Sequence, residues 1–248
     1  KLIPSADVLV QNFRPQTAER IGLGESAVRN LRPDIVYVSI SGFGENGPYS
    51  EQRVYDPIIQ ALSGLADIQA DRESREPRMV RTVIPDKTTS VTAAQAITAA
   101  LFARERSSEG QSVKLAMLDT MVAYLWPEGS SALTYVGDEI DPSAGQLSLD
   151  LVFKTKDRFI TAGAVSDKEW VGMCKVFGRE ELITDERFAT AEARTRNIVE
   201  RREIMTKEIS KWSSESLLQS LRSADVPCAP ILNRKEVLDD PQVAANEI

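Results

Sequence analysis

The first chemical suggestion in this sequence is a single carboxylate. Asp86 closes a short apolar run, Val80 to Pro85, and three hydroxyl residues follow it closely: Thr88, Thr89 and Ser90. Beyond them lies an alanine-rich stretch with Val91, Ile97, Leu101 and Phe102 at helical spacing. This order predicts a chain that leaves the core, turns, and enters a well-capped helix with Asp86 at its start. Unpaired backbone N–H groups and the positive end of the helix dipole would favour the ionised form of Asp86 there. Two roles are open to it. It is either a cap or first-turn acid serving the helix alone, or a carboxylate held ready for chemistry.

The residue inventory narrows that chemistry. The chain has no histidine, which removes Ser-His-Asp and Cys-His triads, imidazole bases and histidine metal sites together. Catalysis is left to Asp, Glu, Lys, Arg, Tyr, Ser or backbone groups. Cys174 and Cys228 stand apart, with neither a CxxC pair nor metal-ligand spacing. They read as buried free thiols of a cytoplasmic protein. Gly42-Phe43-Gly44-Glu45-Asn46-Gly47 fits G-x-G-x-x-G, but Pro48, Tyr49 and a polar stretch to Pro57 follow. A dinucleotide site needs a helix to open at those glycines. The glycines read instead as a tightly turning loop, and a dinucleotide-dependent oxidoreductase is disfavoured.

The 248-residue chain is of ordinary globular composition, 42% hydrophobic and 27% charged. That is enough for one large domain or two smaller ones. A net charge of -7, with no basic patch interleaved with aromatics, argues against nucleic acid. No apolar run approaches the ~18 to 20 residues of a membrane span, and no signal peptide is visible. The chain opens on Lys1 and runs straight into a strand-like segment, as expected of part of a longer polypeptide.

Several elements must position the candidate chemistry. Ala6 to Phe13 and the β-branched run Ile35 to Ser41 read as buried parallel strands, with a helical stretch through Leu31 between them. Strand, helix, strand at these lengths is a βαβ unit, so the fold class is α/β with a parallel sheet. Ligands of such sheets bind beyond the carboxyl ends of the strands. Tyr55 to Leu65 reads as a helix entered through Asp56 and Pro57. A charged, loop-like segment, Asp67 to Arg78, leads to the Asp86 stretch. Ser112 to Ala116 reads as a strand and Leu118 to Trp126 as an apolar helix. After a linker at 136–148 the rhythm changes to a smaller α+β domain. A hairpin is expected from Leu149–Lys154 and Arg158–Ala162. Helices follow at Asp167–Phe177, Glu192–Trp212 and Ser216–Ala224, then a rigid strand at Val226–Ile231. The expected organisation is a large domain at 1–135, the linker, a small domain at 149–225, and a segment at 226–248 returning toward the large domain.

The order of short motifs resembles the class III coenzyme A transferases, the family of formyl-CoA and carnitine-CoA transferases that also holds 2-methylacyl-CoA racemases. The matching pieces are Gln11-Asn12-Phe13-Arg14-Pro15 with Arg20, Ser39 to Gly44, Gly47-Pro48-Tyr49, Tyr55-Asp56 with Gln60-Ala61 and Ser63-Gly64, and Asp86. Arg104-Glu105-Arg106, Gly110-Gln111, Met117-Leu118-Asp119, Asp185 to Phe188 and Val226 to Pro230 continue it. The resemblance implies a Rossmann-like large domain whose N-terminal part is missing here, and an interlocked homodimer. It also implies acyl-CoA:carboxylate CoA transfer through an aspartyl-CoA thioester on Asp86. CoA would be held by Asn12, Phe13, Arg14 and Arg20 and by Arg53, Val54, Tyr55 and Asp56. CoA and acyl-CoA are then substrates, with a carboxylic acid as acceptor, and no cofactor is tightly bound and no metal is needed. A helix N-terminus is available in principle for developing oxyanions. The racemases use a histidine that would fall at Tyr55, so that route is closed; Tyr55 or Asp56 as a substitute base is the alternative. A non-catalytic CoA-binding module is another. The glycine-rich loop of some transferases should lie at Pro142–Gln146, where only Gly145 is present.

Overall fold

The computed structural model describes residues 1–71, 74–127, 130–134 and 151–247. It divides into two compact units, Lys1–Pro142 and Ser143–Ile248. The linker expected at 136–148, the loop at Pro142–Gln146 and the first two residues of the expected hairpin lie outside the described residues.

The first unit is built on a three-stranded parallel sheet of order β1-β2-β3: β1 Val8–Gln11, β2 Val36–Ser41 and β3 Ser112–Ala116. Its βαβ connection is as the strand pattern required. The helical stretch before Leu31 is two helices, α1 Thr17–Arg20 and α2 Glu25–Leu31. They part at a turn in which Gly22 takes a φ of 77°, a conformation that favours glycine. The second crossover carries α3 Asp56–Leu62, α4 Leu65–Ile68 and the long α5 Ile84–Ser107. Residues 42–55 form no helix, so the glycine pattern after β2 is a loop.

Residues alternate across β2, as its pleat demands. Val36 and Val38 are fully buried beneath Ala100 of α5, while Ile35 and Tyr37 pack with Val28 of α2. The sheet is therefore covered on both faces, which is why its strand reads as an unbroken apolar run. The far end of α5 is tied down by Arg104, which meets the Asp7 carboxylate at 2.9 Å and donates to the Asp7 and Asp34 carbonyls. Helix α6, Met117–Leu125, packs Met121 and Leu125 against Ile59 of α3 and Leu65 of α4. The start of α5 and the loop residues Phe43 and Val54 close that cluster.

The second unit has an antiparallel sheet, β4 Val152–Lys154, β5 Phe159–Ala162 and β6 Cys228–Pro230. Helices α7 Asp167–Phe177, α8 Ala191–Arg196, α9 Ile198–Ile209, α10 Ser214–Ser223 and α11 Pro241–Ala245 accompany it. A capping box between Ser166 and Glu169 starts α7. The polar stretch expected as one helix breaks at Asn197 into α8 and α9. Trp170, Met173 and Phe188 are core residues, so the Asp185–Phe188 motif here packs the unit. Both cysteines are free thiols; burial pushes Cys174 up to about 12, which keeps it inert.

Candidate active site

The carboxyl ends of all three parallel strands and the first turns of α5 enclose one cleft of about 560 Å³. Asn12, Phe13 and Arg14 enter it from the turn after β1, where Gln11 organises the backbone by accepting the Phe13 N–H at 2.9 Å. Arg53, Val54, Tyr55 and Asp56 enter from the end of the β2 loop and the start of α3. Asp86, Thr89 and Ser90 line it from α5, and Met117 from the end of β3. Gly42 allows the loop to close on itself, because a Cβ there would come within 2.5 Å of the Val54 side chain.

Eight of the nine residues expected to act on CoA or its acyl group therefore share one cleft. Arg20 does not: it sits exposed at the end of α1, outside the lining. Tyr55 presents an open side chain, 71% exposed. Arg14 and Arg53 are exposed and form no ion pair among the described residues, leaving both guanidinium groups for an anionic ligand.

The start of α5 differs from the expected capped terminus. Its N-cap position is Val83, which has no capping side chain. Thr88 and Ser90 donate back to the Ile84 and Asp86 carbonyls instead of capping N–H groups. The cap comes from another helix. Asp56, only 5% exposed, accepts the Asp86 N–H at 3.2 Å with Oδ2. Its Oδ1 accepts from Gln60 Nε2 at 2.6 Å. Gln60 is itself buried and grips the segment entering α5: its Oε1 accepts the Val80 N–H at 2.9 Å, and its Nε2 lies 3.3 Å from the Val80 and Thr82 carbonyls.

This arrangement reverses the expected electrostatics of Asp86. Every first-turn donor is spent: Ile84 N–H on Thr82, Asp86 N–H on Asp56, Lys87 N–H on Val83, and Pro85 has none. The Asp86 carboxyl is pushed above its ordinary value, first by desolvation and second by the charge of Asp56. Its side chain is open to the cleft by area, yet the surrounding protein still strips enough water to disfavour the charge. Lys87, the nearest cation in sequence, is turned to the Thr82 hydroxyl at 2.9 Å. The result is a carboxylate more basic than usual facing a cleft with two unspent arginines, and a more basic carboxylate is the better nucleophile.

The profile described as CoA-transferase family III matches residues 1–248, the whole chain. The chain belongs to this family. Among curated relatives, the family III chain is 33% identical over 247 residues to a succinate--glutarate CoA-transferase of Agrobacterium fabrum, covering 99% of this chain and 62% of that protein. It is 30% identical over 250 residues to a human succinyl-CoA:glutarate CoA-transferase, covering 99% and 56% respectively. A crystal structure of Rv3272 from M. tuberculosis superposes with a TM-score of 0.85 at 26% identity, over 99% of this chain and 66% of that one. A CAIB/BAIF family protein from Brucella suis gives 0.79 at 29%, over 98% and 65%. The chain thus spans somewhat under two thirds of the curated relatives it matches.

Two site residues of this family III chain carried no assigned role in the sequence reading. Gln60 is one helical turn from Asp56, and Thr89 is one turn from Asp86; both spacings place side chains on a shared helix face. That spacing was the available signal. Thr89 is 3% exposed, and its hydroxyl has no hydrogen-bond partner among the described residues.

Proposed function

We infer that the protein carrying this chain transfers CoA between carboxylic acids, with Asp86 as covalent nucleophile. The observation that carries the reading is the convergence of Asp86, made more basic by burial and Asp56, with the exposed Arg14 and Arg53 in one cleft at the carboxyl edge of a parallel sheet. The arginines suit the phosphates of CoA, and the flat ring of Phe13 suits its adenine.

The steps balance without cofactor, metal or net proton transfer. The Asp86 carboxylate attacks the thioester carbonyl; the C–S bond breaks and CoA leaves as thiolate, giving an acyl-aspartyl anhydride. The thiolate attacks Cγ of Asp86 and expels the donor carboxylate, giving the aspartyl-CoA thioester. The acceptor carboxylate then attacks Cγ, CoA thiolate leaves again, and attack on the acceptor acyl carbon forms the new acyl-CoA and frees Asp86. One difficult exchange is divided into easier ones, and water must be excluded because each intermediate is hydrolysable.

The names of the similar proteins support a short dicarboxylic acid among donor and acceptor. The alternative of a racemase using Asp56 as base is weakened by the engagement of both Asp56 oxygens. Family resemblance supports a homodimer, testable by light scattering, and the two free thiols support a cytoplasmic location, testable by fractionation.

The test is intact-mass spectrometry of the full-length protein incubated with succinyl-, glutaryl- and oxalyl-CoA, with hydroxylamine added to trap activated carboxyl groups. A CoA-sized adduct mapping to Asp86 and absent from Asp86→Asn is the expected result. Exchange of the α-proton with heavy water and no adduct would favour a racemase; tight CoA binding with neither signal would leave a binding module.

A further inference from the structure

Helix α5 treats one of its hydroxyls differently from the rest. Thr88, Ser90, Thr92, Thr98 and Ser107 each donate to the carbonyl four residues earlier. This is the usual fate of a hydroxyl inside a helix. Thr89 bonds neither to Pro85 nor to any other group among the described residues, although its oxygen is shielded from solvent. A buried hydroxyl without a partner has given up its hydration and gained nothing. It lies in the lining of the cleft, three residues after Asp86. Helical side chains lean toward the N-terminus, so residue i+3 projects over the turn that carries residue i. The helix N-terminus offers no competing donor, because Ile84, Asp86 and Lys87 have spent their N–H groups.

We propose that Thr89 is a catalytic hydrogen-bond donor to the side-chain oxygen of Asp86 when Cγ becomes tetrahedral. The inference rests on Asp86 being the nucleophile. In the resting chain no hydrogen bond joins the two residues, so the contact does not stabilise the ground state. A contact made only as charge develops accelerates the reaction, whereas one made equally throughout does not. Two of the addition steps occur at Cγ of Asp86. In the first, the CoA sulfur bonds to Cγ and the bond to the donor carboxylate breaks. In the second, the acceptor carboxylate oxygen bonds to Cγ and the C–S bond breaks. In both, the carbonyl oxygen of Asp86 carries the negative charge transiently, and the Thr89 hydroxyl, one turn along the same helix, is the donor that meets it. Thr89 keeps its proton and returns to its unpaired state when Asp86 is free.

The test is rapid-quench mass spectrometry of the full-length protein with succinyl-CoA, following appearance and discharge of the adduct at Asp86. Thr89→Val, which keeps the shape and deletes the hydroxyl, is expected to slow both by about 100- to 1,000-fold. KM for the donor should change little, and Tm should stay or rise, since an unpaired buried hydroxyl is lost. Thr89→Ser should retain most of the rate, and the ratio of Thr89→Ser to Thr89→Ala rates should exceed about 10. That ratio decides the matter even if the valine variant folds poorly. A wild-type adduct turned over equally fast by Thr89→Val, or a serine-to-alanine ratio near one, overturns this inference alone. No adduct on the wild-type protein overturns the nucleophile reading and this inference with it.

Discussion

Gln60 is the residue whose replacement tests the architecture of the site most directly. Its side chain is 2% exposed and makes a 2.6 Å bond to the buried Asp56 carboxylate and a 2.9 Å bond from the Val80 N–H. Gln60→Leu fills the same space and makes neither. Losing a hydrogen bond to a buried charge costs about 1.5–3 kcal/mol, and orphaning the Val80 N–H about 1–3 kcal/mol. The 3.3 Å contacts to the Val80 and Thr82 carbonyls share the same amide protons and add no more than about 1 kcal/mol. Extra apolar burial returns roughly 1 kcal/mol. The net loss of about 2–6 kcal/mol is a large part of a typical stability of about 5–15 kcal/mol. At about 2–4 °C per kcal/mol for a protein of this size, Tm should fall by about 10 °C. Gln60→Glu separates the electrostatic component from packing. It places a second carboxylate where Nε2 now meets Asp56, and two carboxylates that close cannot both ionise. The Tm deficit of Gln60→Glu should therefore shrink as pH falls from 8 to 5, while that of Gln60→Leu should not. Calorimetry of both variants at the two pH values is the assay. A Gln60→Leu Tm within about 2 °C of wild type, or a pH-independent deficit for Gln60→Glu, refutes the clamp.

Asp56→Asn removes the second cause of the raised Asp86 pKa but leaves burial in place; the acid limb of the kcat/KM profile should move to lower pH, and an unmoved limb would exclude the coupling. Asp86→Asn should raise Tm at pH 7 and not at pH 3. An acid whose folded pKa lies above its ordinary 3.8 binds more protons folded than unfolded, so it lowers stability as pH rises through that window. Gly42→Ala forces Val54 aside and should cost about 1–3 kcal/mol in a denaturant melt, with weaker CoA binding because Val54 and Arg53 move together. In the second unit, Arg194 is 1% exposed, meets Asp167 at 2.7 Å and donates to the Phe188 carbonyl; Arg194→Met should cost roughly 2–4 kcal/mol, measured by unfolding.

Much of the framework was legible because its determinants are local. Strands β1 and β2 are short apolar runs rich in β-branched residues, and the loop after β2 could be separated from a dinucleotide fingerprint by the proline that follows it. The hairpin of β4 and β5 and the amphipathic α7 follow from alternation and helical spacing. Breaks inside helices were less legible. The turn between α1 and α2 and the break at Asn197 depend on how each piece packs, and propensity alone does not place them.

The electrostatics of Asp86 mark the boundary between the two kinds of information. Sequence by itself determined that histidine chemistry is unavailable, and that Asp86 lies in the first turn of a long helix. It also determined the motif order that identifies the family. Tertiary packing decided what surrounds that carboxylate. Asp56 lies thirty residues earlier on another helix, and only the docking of α3 against α5 brings it across the Asp86 N–H. The same docking engages the Asp86 N–H and adds the charge of Asp56 to the desolvation that raises the Asp86 pKa. Local windows report which groups a turn contains; which of them remain unsatisfied depends on neighbours that are distant in the chain.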